Sequence, residues 1–233
     1  MEINSALIVG LIVATYMFLF CVIPYYINNF LFKNDVKDIS MFMYFGKPLY
    51  SYTLKNGIKI NFGYLPTGSS IAFDIPDDWD DKKAIRYSQK RSRVLNFIYH
   101  ILLILLFFSI TLILGYIPIK ICEDVLLVEY ELITKKIDYN DLIPIVAKQY
   151  QMYGKIFFLL FVVLVQVIIA AILNLISSIW EYLGVISMAI WILLYFIYDL
   201  TYFMFPLLFY VDILLSMTIS GFLYFLLLRF FIK

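Results

Sequence analysis

The chain contains one histidine and two cysteines among its 233 residues, and its net charge is only +1. A zinc site built on two histidines is therefore excluded, because His100 stands alone. Cys21 and Cys122 lie in different surroundings, so we expect no disulfide between them. The small net charge supplies no basic field of the kind that binds nucleic acid. We expect neither a nucleic-acid partner nor a cofactor.

Long apolar runs dominate the rest of the sequence. Hydrophobic residues make up 64% of the chain and the mean hydropathy is +0.90, which indicates a membrane protein. A run of about 20 apolar residues crosses the bilayer hydrocarbon as a helix. The runs predict an all-α polytopic membrane protein of about five transmembrane helices, with a cytoplasmic membrane-associated β-hairpin. The predicted spans are Ala6–Phe32, Val94–Pro118, Lys155–Ser178, Leu183–Leu200 and Phe209–Phe231.

The spans divide the chain into three parts. Residues 1–118 hold two spans with an inserted polar segment at 33–93, residues 119–154 form a short outer segment, and residues 155–233 hold three further spans. The inserted segment carries eleven Lys and Arg residues, which predicts a cytoplasmic location for it. The N-terminus is then outside and the C-terminus cytoplasmic. We expect an integral protein of the bacterial inner membrane, with the mitochondrial inner membrane as the alternative.

Within the polar segment, Pro48–Leu54 and Ile58–Tyr64 alternate in polarity and are rich in Tyr, Ile and Thr. Asn56-Gly57 at the tip predicts a two-stranded hairpin with a type I′ turn, in which both residues have positive φ. The basic stretch Lys82–Arg93 that follows is expected to lie near anionic headgroups. In the outer segment, Val125–Ile133 predicts a strand and Tyr139–Tyr153 a short interfacial helix.

Several polar residues within the spans are candidates for helix packing. Gln166 and Asn174 share a helix face, which is typical of hydrogen bonds between helices, and the last span has a face of small residues. Ionisable residues in the spans have a structural interpretation, with an ion or proton role as the alternative. The small residues are Ser216, Ser220 and Gly221, and the ionisable ones are His100, Asp199 and Asp212.

Phe45–Phe73 resembles the membrane-entering hairpin of the site-2 protease family of intramembrane zinc metalloproteases. The matching residues are Phe45-Gly46-Lys47 and Leu65-Pro66-Thr67-Gly68, followed by Asn96-Phe97 in the next helix. The family spacing places its His-Glu-x-x-His motif at Ile23–Ile27, so that Ile23 and Ile27 stand at the histidine positions and Pro24 at the general-base glutamate. The third ligand position falls on Tyr182; Asp212 is a rival that the predicted topology disfavours.

The resemblance implies a protein that keeps the scaffold of these proteases without their catalytic centre. In the active family the hairpin pairs with an extended substrate strand, so we expect a non-catalytic binding or scaffold subunit that contacts integral membrane partners in a hetero-oligomer. The alternative is an accessory structural subunit of a respiratory or transport complex. The hairpin residues expected to contact the partner are Tyr50, Tyr52, Asn56, Gly57, Ile58, Ile60 and Phe62, and Asn96 joins the helix-packing residues.

Overall fold

The described part of the chain is mostly helical and carries one small mixed sheet. The computed structural model describes residues 5–32, 35–76, 78–134, 136–137, 139–179 and 207–232. The predicted span Leu183–Leu200, with Tyr182 and Asp199, lies outside these ranges. The helices are α1 (Ser5–Leu31), α2 (Asp81–Ile113), α3 (Pro118–Ile133), α4 (Tyr139–Tyr153), α5 (Lys155–Ile179) and α6 (Leu207–Phe231). The strands are β1 (Val36–Met43), β2 (Tyr50–Thr53), β3 (Lys59–Phe62) and β4 (Leu65–Phe73).

Three of the described helices are long and apolar enough to cross a membrane, namely α1, α2 and the Val211–Phe231 part of α6. The number rises to four if α4 and α5 form one broken span, since Ile143–Tyr153 and Lys155–Ile169 meet at 107°. Gly154 makes this bend with a φ of +79°, which a residue with a side chain rarely adopts. Helical apolar segments are thus confirmed, while their number and placement in a membrane remain predictions.

The sheet has four strands in the order β2-β3-β1-β4, so the prediction of a lone hairpin in an otherwise all-α chain was incomplete. The hairpin is present as the antiparallel pair β2–β3. Strand β1 lies between β3, to which it is parallel, and β4, to which it is antiparallel. Sequence periodicity did not reveal β1, because its residues 39 to 42 are buried consecutively and do not alternate.

The turn of the hairpin differs from the predicted type I′. The Leu54 N–H donates to the Ile58 carbonyl at 2.9 Å, which leaves a loop of three residues, and the Gly57 N–H donates to the Leu54 carbonyl at 3.0 Å. Gly57 has a φ of +87°, whereas Asn56 does not have a positive φ. The loop is therefore a turn followed by one left-handed glycine, a common alternative for three-residue hairpins.

Contacts between residues divide the chain into two units, residues 1–99 with 211–233, and residues 100–210. In the first unit, one face of the sheet packs on α1 and α6 in a single core. This face carries Ile39, Ile60 and Phe62, each at most 2% exposed. By strand register and alternation, the opposite face carries a polar row across the strands. The row is Ser51, Asn61, Ser40 and Ser70.

Helix α6 runs in the same direction as α1. The Ser216 hydroxyl donates to the Leu7 carbonyl at 2.7 Å, and nearer the other ends the Thr15 and Tyr224 hydroxyls lie 2.8 Å apart. Gly10 permits this close approach, since a Cβ there would lie 2.6 Å from the Ser216 Cβ. The first part of α2 runs antiparallel to α1.

The second unit holds α3, α4 and α5 around an aromatic core. Val125–Ile133 lies in α3, so the predicted strand is wrong, whereas the predicted helix Tyr139–Tyr153 is confirmed as α4. The Tyr153 hydroxyl lies 2.6 Å from the Asp124 carboxylate and ties α4 to α3. Helix α3 is amphipathic, and its branched apolar residues follow a helical spacing. Over only nine residues this spacing is not distinguishable from that of a strand, which explains the wrong prediction.

Candidate functional site

A cavity of about 140 Å³ lies between α1, β4 and α2 in the first unit. Three consecutive residues of β4, Ser69, Ser70 and Ile71, line it. Successive side chains of a strand point to opposite faces, so a cavity touched by all three lies along the edge of the strand. Phe73 of β4 and the two helices contribute the remaining walls. The other lining residues are Phe20, Pro24, Phe73, Ser92, Leu95 and Asn96.

Strand β4 presents a free backbone edge to this cavity. Within the described residues β4 pairs only with β1, so its other side is not hydrogen-bonded to a strand. The Asp74 N–H continues the ladder by donating to the Asp35 carbonyl at 2.6 Å. Since N–H groups alternate along an antiparallel strand, those of Ser69 and Ile71 point away from β1. This edge has the geometry that accepts an added strand.

The cavity wall is mixed in polarity, with five apolar and four polar residues among the nine that line it. The polar ones are Ser69, Ser70, Ser92 and Asn96, and the Ser69 hydroxyl donates to the Met17 carbonyl of α1 at 3.2 Å. Pro24 has no N–H, so the Phe20 carbonyl has no donor at i+4 within α1. The wall therefore combines apolar surface with polar groups, and the described residues that line it include no acid, base or thiol.

A buried ionic cluster fixes the frame around this edge. Arg91 of α2 is 3% exposed, and its guanidinium donates to both oxygens of Asp35, at 2.5 and 2.6 Å. Its Nε donates to the Asn28 side-chain oxygen at 2.8 Å, and Arg91 also bonds the Tyr87 hydroxyl. The Phe73 ring centroid lies 4.7 Å from the guanidinium carbon. The cluster thus joins the end of α1, the start of β1, the end of β4 and α2.

Two of the family-motif positions meet at the cavity. Pro24, which the resemblance predicts to stand at the general-base position, and Asn96 of the Asn-Phe pair both line it. Ile23 and Ile27 are half-buried on α1, and Tyr182 is outside the described ranges. Among the described residues, no three His, Cys, Asp or Glu side chains are grouped so as to hold a metal ion. Both cysteines are free.

The predicted hairpin contacts divide into buried and exposed residues. Ile58, Ile60 and Phe62 are core residues of this chain, at most 3% exposed. Tyr52 is half-buried, and its hydroxyl donates to the Phe225 carbonyl of α6 at 3.1 Å. Burial raises the pKa of Tyr52, so this donor stays protonated at neutral pH. Only Tyr50, Asn56 and Gly57 of the set are exposed.

The predicted helix-packing residues have different environments. Ser216 contacts α1, as described above, whereas Gly221 faces the sheet: a Cβ there would lie 2.3 Å from Cζ of Phe42. Ser220, Gln166 and Asp212 are half-buried and His100 is buried, while the side chain of Asn174 lies outside the described part.

Sequence reasoning missed Arg91, Asp35 and the free edge of β4. Arg91 stands in a run of basic residues, which hides its different environment. The signal in the sequence is its spacing of four from Tyr87 and from Leu95, which places Arg91 on the helix face of these two residues. Comparisons of the chain with protein-family models, with curated proteins and with solved structures give no match, so the fold and the cavity rest on the chain's own residues.

Proposed function

We propose that the chain is a non-catalytic membrane subunit that binds an extended segment of an integral membrane partner along β4. The edge of β4 that pairs with no described strand, beside a cavity of mixed polarity, carries this proposal, since an open strand edge adds a further strand through backbone hydrogen bonds. The family resemblance is in agreement, because Pro24 and Asn96 line the same cavity. Exposed edges are a liability unless something covers them.

The same observations support a function in which the partner segment is bound without being cleaved. Pro24 supplies no acid or base, and the described residues that line the cavity include no base that would activate the serine hydroxyls. A segment bound here is held and not cut. We place the protein in a membrane because three described helices are of membrane length, with the hairpin cytoplasmic as the Lys and Arg bias indicates.

Replacing Ile71 tests the edge directly. Ile71→Pro removes an N–H that points away from β1, and proline is tolerated at such edge positions. Ile71→Val is the matched control, because it keeps the N–H and a branched apolar side chain. We expect a photo-crosslinker placed at the exposed Ser70 to capture a membrane protein in the wild type and in Ile71→Val. In Ile71→Pro the yield should fall at least about tenfold, since a lost hydrogen bond costs about 1 kcal/mol and the ring adds a clash.

Two results would contradict the proposal. Equal crosslinking in Ile71→Pro and Ile71→Val would remove β4 from the interface. If the partner then still copurified, the helices would hold it, which is the behaviour of an accessory structural subunit of a respiratory or transport complex. The thermal midpoint of each variant in detergent verifies that the fold is intact.

A further inference from the structure

The first turns of α2 carry an open cationic groove distinct from the cavity at β4. The groove has a volume of about 470 Å³, and its cations are Lys82, Lys83, Arg86 and Lys90. All four are exposed. Lys82, Arg86 and Lys90 follow each other at intervals of four, so they form one row on the helix. Trp79 closes the outer end.

The charge of this groove is not neutralised within the described chain. Asp80 lines the groove, but its carboxylate accepts a hydrogen bond of 2.6 Å from the Lys83 backbone N–H and caps the helix. The Lys83 ammonium lies 4.1 Å from the centroid of the Trp79 ring. No described carboxylate forms an ion pair with any of the four cations, in contrast to Arg91, which is paired with Asp35. The groove is therefore available to an anion.

The position of the groove along α2 favours a lipid headgroup as that anion. The apolar part of α2 begins at Val94, and a helix rises about 1.5 Å per residue, so Lys90 and Arg86 stand about 6 and 12 Å above it. The headgroup layer is about 5 to 8 Å thick on each side, and a long basic side chain reaches several ångströms towards it. Lys82 and Lys83 add attraction from farther out.

An acidic peptide from solution fits this site less well. It would approach from the outer end, where Asp78, Asp80 and Asp81 precede or begin α2. A lipid phosphate approaches from the opposite end, at Lys90 and Arg86. We infer that this groove binds the phosphate headgroup of an anionic phospholipid; the inference rests on α2 crossing the membrane, and not on a partner at β4.

Native mass spectrometry of the full chain in neutral detergent tests the inference. Phosphatidylglycerol is expected to bind at least about tenfold more tightly than phosphatidylcholine. The double variant Arg86→Gln with Lys90→Gln should lose about 30-fold in affinity for phosphatidylglycerol, since each juxtamembrane cation contributes about fivefold. The pair Lys55→Gln with Lys59→Gln is the matched control: it removes the same charge from exposed positions of the hairpin and should change the affinity less than about twofold.

Charge-preserving substitutions test whether a loss of lipid binding results from lost charge or from misfolding. Arg86→Lys with Lys90→Arg should retain the preference for phosphatidylglycerol. Equal binding of the two lipids, or an equal loss in the hairpin control, would overturn the inference. Displacement of the lipid by millimolar inorganic phosphate or glycerol phosphate would identify a site for free phosphate instead, and displacement by a polyglutamate peptide would identify a peptide surface. The photo-crosslink at Ser70 should persist in the double variant, which separates this result from the proposal for β4.

Discussion

Arg91 shows how much one side chain in a basic run can differ from its neighbours. Arg86 and Lys90 are exposed, whereas Arg91 is buried and satisfied by a carboxylate, an amide and a phenol. Taking a guanidinium out of water costs several kcal/mol, and only close, bidentate pairing offsets that cost. The composition of Lys82–Arg93 predicted a basic stretch near anionic headgroups and did not indicate that Arg91 is buried.

Replacing Arg91 with lysine should therefore destabilise the first unit although the charge is kept. Lysine cannot pair with both oxygens of Asp35 while bonding Asn28, and it lacks the planar guanidinium whose carbon lies 4.6 and 4.7 Å from the Phe32 and Phe73 ring centroids. We expect a loss of about 2 to 3 kcal/mol in the free energy of unfolding, measured by denaturant titration in detergent. Arg86→Lys is the control on an exposed arginine of the same helix and should change stability by less than about 0.5 kcal/mol. Equal effects of the two variants would mean that the cluster adds no stability.

At the scale of elements, the sheet is joined to α6 through an irregular residue of β1. Phe42 has a φ of +68°, and the register between β1 and β4 shifts between Met41 and Met43. A left-handed conformation is unfavourable for phenylalanine, so packing must hold it there. The ring is 1% exposed and lies against Gly221 of α6 and the Phe62 ring. Gly221, predicted to permit helix contact, permits contact with a strand.

Gly221→Ala should disturb this junction. The added Cβ would lie 2.3 Å from the Phe42 ring, and the ring is fixed by its neighbours. We expect a destabilisation of about 1 to 3 kcal/mol, the usual range for overpacking. In a double-mutant cycle, Phe42→Leu should recover part of this loss. Ser220→Ala, one residue earlier and half-buried, is the control. If Gly221→Ala proves as harmless as Ser220→Ala, the sheet and α6 are less tightly joined than the structure indicates.

The sequence predicted the elements with strong local signals. Lys55 to Gly57 marked the hairpin, and the apolar runs marked α1, the apolar part of α2, α5 and α6. Strand β1 was missed because its residues are buried on several sides, which removes the alternation typical of a strand. Part of α3 was wrongly predicted as a strand because a short amphipathic sequence fits the period of a strand as well as that of a helix. The cavity was beyond sequence reasoning: Pro24, Ser69 and Asn96 meet only through tertiary packing, although the resemblance had singled out Pro24 and Asn96.

At the scale of the whole molecule, the direction of α6 constrains the path of the chain. Leu7, Thr15 and Tyr26 of α1 contact Ser216, Tyr224 and Phe231 of α6 in the same order. Two parallel helices that both cross a membrane require an odd number of crossings between them. Helix α2 supplies one, so any further crossings in residues 114–206 must come in pairs. The predicted five-span topology meets this condition, because it places three spans between α1 and α6.

The two termini should therefore lie on opposite sides of the membrane. We expect an epitope before Met1 to be accessible to an impermeant protease in intact cells, and one after Lys233 to be accessible only in inverted vesicles. A cysteine in place of Lys55 should be labelled from the same side as the C-terminus, because the hairpin contacts α6 near Phe225, in the C-terminal half of that helix.

Removing one crossing provides the sharper test. Deletion of residues 183–200, the fourth predicted span, would leave an even number of crossings between α1 and α6 and so reverse the direction in which α6 inserts. The Thr15–Tyr224 contact would then be impossible, and a disulfide between cysteines placed at Leu7 and Ser216 should form in the full chain but not in the deletion variant. Both cysteines would remain in apolar helices in the deletion variant. Loss of the disulfide would therefore indicate that α6 has reversed its direction, and not that the cysteines have become exposed to solvent. If the disulfide persists after the deletion, residues 183–200 do not cross the membrane, and the predicted five-span topology is wrong.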